Sequence, residues 1–140
     1  MLRALLAEAG VGVVAASGFV ADVGPGGFTG VRVGVTLAKT LAFALGVEAA
    51  GVSSFDLISC SGTAVVPGRR GQFLVREAGS AVRVLDELPG GEFAGYGEGV
   101  SEASYPDAGR MPVVAVGALG APERLLPEYV LPPSVTLPRA

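Results

Sequence analysis

The sequence predicts an α/β fold, and three observations carry that prediction. A strand-like run, Phe19-Val20-Ala21-Asp22-Val23, passes through the turn Gly24-Pro25-Gly26-Gly27 into a stretch, Val31 to Leu45, that holds no Pro and no Gly except Gly34. Further β-type runs follow, at Val47 to Ala50 and then through the second half of the chain. Finally, 50% of the 140 residues are apolar and only 16% charged, a balance that folds and does not leave a disordered chain.

Each element has a local cause. Met1 to Ala9 reads as an amphipathic helix with Leu2, Leu5, Leu6 and Ala9 on one face and Gly10 as its stop. The strand at Phe19 to Val23 and the glycine turn come next, and the long helix runs to about Leu45. After the strand at Val47 to Ala50, Ser53 reads as the cap of a short helix ending near Cys60. Ala64-Val65-Val66, Gln72 to Arg76 and Ala81 to Leu85 are short β-type runs separated by turn residues, which predicts a small meander or hairpin. Glu92 to Gly99 reads as a glycine-rich loop, and Met111 to Gly120 as a strand or a broken helix. The tail from Pro122 holds five prolines and is expected to lie extended over the surface.

The long helix is the most telling element. Gly30, Gly34, Ala38 and Ala42 recur every four residues as a ridge of small side chains, and Val33, Leu37, Leu41 and Leu45 form an adjacent ridge of large ones. Polarity is confined to a narrow strip of Arg32, Thr36, Lys39 and Thr40. A helix apolar over so much of its circumference is buried on more than one side, either in a core or against a partner.

The turn before it invites a second reading. A glycine-rich turn opening a helix suits an anion, because first-turn N–H groups are unpaired and the helix dipole favours negative charge. Gly24, Gly26 and Gly27 would then hold it. The phosphate fingerprints do not fit, however: the fifth residue after Gly24 is Thr29, where both the dinucleotide and the Walker A patterns require Gly, and the Walker lysine is missing.

Composition narrows the chemistry further. The chain has no His and a single Cys60, so the usual zinc, haem and triad residues are lacking, and no acidic cluster stands at metal-ligand spacing. Neither metal nor cofactor is expected. Cys60 reads as a small core or near-core residue. A net charge of −3, with Arg69-Arg70 the only adjacent basic pair, argues against a nucleic-acid-binding face. The longest charge-free run, Ala9 to Ala21, has 13 residues, too few to span a bilayer, and no signal-peptide pattern is present. A soluble cytoplasmic protein is the expectation.

The segment Gly24-Pro25-Gly26-Gly27-Phe28-Thr29-Gly30-Val31-Arg32-Val33-Gly34, followed by Ala38-Lys39 and Gly51-Val52-Ser53-Ser54, resembles the TsaB (YeaZ) family, whose members carry a GPGSFTGLRIG-type segment, an AKGLA-type helix and a GVSSL-type turn. Leu5 to Gly10 resembles the end of that family's first helix. Arg69 to Phe73 resembles its ARRGEVY strand, and Pro127 to Pro133 its C-terminal PxYLRPP motif. The resemblance is strong over Met1 to Asp56, moderate at Arg69 to Val75 and in the tail, and weak elsewhere.

That resemblance implies a ribonuclease H-like, actin-like ATPase fold without an enzymatic role of its own. TsaB proteins are scaffold partners of TsaD, the related enzyme of tRNA N6-threonylcarbamoyladenosine biosynthesis, with the ATPase TsaE as a further partner, and they also form homodimers. Family members begin with strands that this chain lacks, so roughly 45 to 55 residues are absent by comparison with one lobe of a typical domain. Either a shortened paralogue or an internal start at Met1 would give this, and the strand Phe19 to Val23 would be left with an unpaired edge. The expected organisation is an incomplete N-terminal lobe over 1–60, holding both interface helices, and a smaller C-terminal lobe over 61–140. The expected partner-binding residues are Leu2, Leu5, Leu6, Phe28, Thr29, Gly30, Arg32, Val33, Gly34, Thr36, Leu37, Lys39, Thr40 and Leu41, with no catalytic residue. The rival reading is an ATP- or anion-binding enzyme, hydrolase or peptidase-like, that uses the Gly24 to Gly30 turn.

Overall fold

The computed structural model describes residues 2–131. Met1 and the tail from Pro132 to Ala140 lie outside the described residues, and with them three of the five tail prolines. The first helix, α1, covers Leu2–Glu8 and buries none of its residues; Gly10, at φ +67°, turns the chain away from it. Strand β1 (Gly18–Gly24) leads into helix α2 (Phe28–Leu45), and β2 (Glu48–Ser53) follows after Gly46, whose φ of +65° and N–H bonds to the Ala42 and Phe43 carbonyls close the helix.

β1 and β2 pair in parallel as a two-stranded sheet, with Val20 opposite Ala50. The alternation of strand side chains decides which element covers which face. Phe19, Ala21, Val23 and Ala49 face α2, which contributes Val35, Ala38 and Ala42. Val20, Ala50 and Val52 face the other way, toward Leu57, Met111, Val114 and Ala115. By length and composition α2 is apolar enough to cross a membrane, yet it carries Arg32 and Lys39 and buries three residues against this sheet.

Helix α3 (Ser54–Ile58) follows β2 directly and joins the two halves of the chain. Beyond it, β3 (Thr63–Pro67), β4 (Phe73–Glu77) and β5 (Arg83–Leu85) form the expected antiparallel meander, extended by a short parallel strand, β6 (Ala94–Gly95), inside the segment read as a loop. The sheet order is β5-β4-β3-β6. Phe55 and Ile58 of α3 pack on Ala64, Val66 and Leu74, while Val65, Phe73 and Val75 form the core on the opposite face. Gly95 sits so close to β3 that a Cβ there would overlap the Val65 carbonyl, which a glycine alone avoids.

The segment Met111 to Gly120 resolves as a short helix, α4 (Met111–Val114), after a 3-10 turn, and Gly120 then bridges to Ala49 of β2. The Pro-rich segment that follows is not a loose cover. Pro122–Arg124 makes a 3-10 turn, Leu125 is 3% exposed in the core under α2, and the Glu128 N–H donates to the Val23 carbonyl at 2.7 Å. Two local readings are corrected. Cys60 is exposed and not near-core, because α3 ends at Ile58 and the chain turns outward. Ser53 occupies the N-cap position of α3 without capping it; its hydroxyl donates to the Gly24 carbonyl at 3.1 Å.

Candidate partner-binding face

The turn before α2 is held from below. The Asp22 carboxylate accepts from the Gly24 N–H at 2.8 Å and from the Ser54 hydroxyl at 2.6 Å, tying the end of β1 to the start of α3. Gly24 has φ +102°, and the Gly24–Pro25 bond is cis. Beside this cluster burial, the Asp22 charge and Tyr105 raise the Tyr96 phenol above its ordinary value of 10.0. Gly24 and Pro25 are buried, whereas Gly26 and Gly27 are exposed. No side chain caps α2, and the Val31 N–H is already bonded to the Gly27 carbonyl. A cleft of about 310 Å³ opens here, lined by Pro25, Gly26, Phe28, Arg69, Glu128 and Tyr129 among others. Among the described residues no three His, Cys, Asp or Glu side chains come together as a metal site.

Along α2 the structure separates the expected contact residues by flank. Phe28, Val33 and Leu37 are 45%, 61% and 46% exposed, so the middle of the solvent side is apolar. On one flank, Gly30, Gly34, Leu37 and Leu41 border an apolar groove of about 380 Å³ that they share with Leu2 of α1 and the β1 residues Phe19 to Asp22. On the other flank, Arg32, Thr36, Lys39 and Thr40 border a groove of about 270 Å³ with Leu126 and Tyr129. Thr29 is exposed at the first turn, Leu5 is exposed on α1 and Leu6 half-buried.

Two of the expected contacts are committed inside the chain. Lys39 donates to the carbonyls of Glu123 at 3.1 Å and Leu125 at 3.4 Å, so its ammonium clamps the C-terminal segment. Arg32 stacks its guanidinium 5.0 Å from the centre of the Phe28 ring, which in turn lies 5.2 Å from the Tyr129 ring. The ridge of small residues is likewise divided: Ala38 and Ala42 are buried on the sheet, while a Cβ on Gly30 or Gly34 would meet nothing within 4 Å. The docking of Tyr129 and Leu125 on α2 escapes sequence reasoning, since no local pattern ties residues in the tail to a helix some 86 positions earlier.

Residues 1–93 match the family model described as TsaD: tRNA N6-adenosine threonylcarbamoyltransferase. The tRNA threonylcarbamoyladenosine biosynthesis protein TsaB of Bacillus subtilis (strain 168) is 45% identical over 56 residues, covering 35% of this chain and 24% of that protein. The match thus spans about a quarter of the curated relative's length. Two solved structures are similar in fold, each at 24% identity. One, an uncharacterised protein with similarity to peptidase YeaZ from Pseudomonas aeruginosa, superposes with a TM-score of 0.77 over 94% of this chain and 81% of its own. The other, YeaZ from Pseudomonas aeruginosa, gives 0.71 over 93% and 81%. The expected α/β class is the fold observed, and it is the fold of these two YeaZ-type structures.

Proposed function

The chain belongs to the tRNA N6-adenosine threonylcarbamoyltransferase family as a TsaB/YeaZ-type member, and from that premise we propose that it is a non-catalytic partner subunit in tRNA N6-threonylcarbamoyladenosine biosynthesis. It works in the cytoplasm by docking a TsaD-like enzyme, or a second copy of itself, with a TsaE-like ATPase as a further partner. The observation that carries this reading is the exposed apolar surface of α2. Phe28, Val33 and Leu37 stand on a rigid 18-residue helix whose opposite side is fixed to β1 and β2. Such a surface serves a partner better than it serves solvent.

In this reading Val33, Leu37 and Leu41 are the apolar anchors, joined by Phe28 and by Leu2, Leu5 and Leu6 of α1. Thr29, Thr36 and Thr40 are the adaptable polar contacts. Gly30 and Gly34 admit the partner's backbone, and Arg32 and Lys39 act mainly by shaping the flank on which they are already engaged. The division into lobes at residue 60 is part of the same proposal, supported by the two separate sheets.

The test is a titration of the chain against the TsaD-like protein of the same organism. Val33→Asp should weaken binding by about 30-fold, the equivalent of a 2 kcal/mol hot spot, without lowering the chain's melting temperature, because Val33 is 61% exposed. Equal affinity of Val33→Asp and wild type would overturn the assignment of this face. The rival reading, an ATP-binding enzyme built on the Gly24 to Gly30 turn, is tested by titrating ATP into the isolated chain; micromolar binding would favour it.

A further inference from the structure

The charge of α2 is not balanced by the chain that carries it. Over Phe28–Leu45 the helix holds Arg32 and Lys39 and no Asp or Glu, although the net charge of the molecule is −3. The acids gather elsewhere: residues 84–109 include six of them and no Lys or Arg. Of the two cations on α2, Lys39 is engaged by the Glu123 and Leu125 carbonyls. Arg32 is exposed, with its guanidinium 5.0 Å from the centre of the Phe28 ring. That contact uses the flat face of the group and leaves its N–H edge open. Among the described residues no oxygen accepts from this edge. Glu123 and Glu128 belong to the C-terminal segment that crosses this flank, yet neither pairs with Arg32; the ion pairs of the described residues are Arg76–Asp56 and Arg83–Glu77.

On the reading of α2 as a partner face, on which this inference rests, we propose that Arg32 receives a carboxylate from a partner helix that bears an Asp or Glu beside its apolar stripe. Arg32, Thr36 and Thr40 follow one another at i, i+4 spacing alongside the exposed Val33 and Leu37. A helix centred on Val33 and Leu37 therefore brings its flanking residues to Arg32. Docking takes water from the guanidinium, and a charged fork left without an acceptor among apolar groups is costly. A carboxylate satisfies two donors of the fork at once. The Phe28 stack holds the group in place beforehand, so little side-chain freedom is lost on pairing. Charge also separates one partner from another. A second copy would present another α2 with two cations and no acid, whereas an acid-bearing helix brings the opposite charge. RNA suits the site less well, because one guanidinium on a chain of net charge −3 makes no phosphate track. Arg32 is thus a specificity-determining contact of the face and not only part of its packing.

Charge variants of Arg32, titrated against the TsaD-like protein of the same organism at low and high ionic strength, test the pairing. Wild-type binding should weaken as salt rises. Arg32→Gln should weaken binding about 10-fold at low salt and flatten the salt dependence, and Arg32→Glu should weaken it about 100-fold. Arg32→Lys, which keeps the charge without the fork, should fall between wild type and Arg32→Gln. Because Arg32 is exposed, all three variants should keep the wild-type melting temperature. Self-association should hold or tighten in Arg32→Glu, which removes like charge between copies; a loss of packing alone would weaken it. Equal affinity of Arg32→Gln and wild type overturns the proposal, as does a wild-type affinity indifferent to salt. So does an Arg32→Glu chain that loses self-association as steeply as it loses the enzyme. A defect in Arg32→Gln that appears only with tRNA present would assign the guanidinium to a phosphate and overturn the carboxylate. The partner role fails separately: a wild-type chain that does not bind removes both readings, whereas a Val33→Asp defect with unaffected Arg32 variants removes only this one.

Discussion

Asp22 is the residue on which the turn depends. Its carboxylate accepts from Gly24 and Ser54 and so fixes both the start of the glycine turn and the start of α3. Asp22→Ala strands those two donors and should cost about 1–3 kcal/mol in urea unfolding, while Asp22→Asn, which keeps an acceptor oxygen, should cost clearly less. Equal losses for the two variants would show that the carboxylate's acceptor role is not what matters. Tyr96, nearby, makes stability depend on alkaline pH. Its phenol is held above 10.0 in the folded chain, chiefly by burial, so the unfolded chain ionises first. Its contribution is intact below pH 10 and is lost as pH rises past 10 through the raised native value. Melting curves from pH 8 to 11 should show a fall for wild type that is shallower in Tyr96→Phe. At this scale the sequence was partly readable. Ser53 stood at the right place but serves Gly24 and not its own helix, because the parallel strand brings that carbonyl within reach. Cys60 read as a core or near-core residue by its type, yet burial stops at Ile58.

At the scale of elements, α2 was the most legible part of the chain, from the glycine turn to Gly46, because helical periodicity and stop signals are local. What its ridges touch was not. Ala38 and Ala42 went to the sheet and Gly30 and Gly34 to open space, a choice made by how the helix is rolled on β1 and β2. That split gives a signed prediction. Gly34→Ala should raise the melting temperature, being worth about 1 kcal/mol in helix propensity with no internal clash. Gly34→Leu should fold as well but block close approach of another helix and abolish dimerisation; a folded, fully dimeric Gly34→Leu contradicts the interface. The C-terminal strap was not legible at all. Leu125→Ala should cost about 2–5 kcal/mol for a buried leucine and expose the segment after Gly120 to protease, since Leu125 and the Lys39 clamp are what hold it against α2.

The molecule as a whole couples two sheets through α3, with apolar cores on both faces of each. The α/β class was readable from the order of strand, turn and helix. The pairing of β6 with β3 and the strap across α2 were not, since both join residues far apart in sequence that no local pattern links. What solvent-facing apolar residues are for is likewise a property of the assembly: Val33 and Leu37 have the same composition whether a core or a partner covers them. The structure leaves them exposed, free to be covered on association. The most direct measurement is the solution mass by light scattering of the chain alone and mixed with the TsaD-like protein of the same organism. Association through α2 should give a homodimer that yields to a 1:1 complex. A self-assembly whose mass is unchanged by that protein would contradict it.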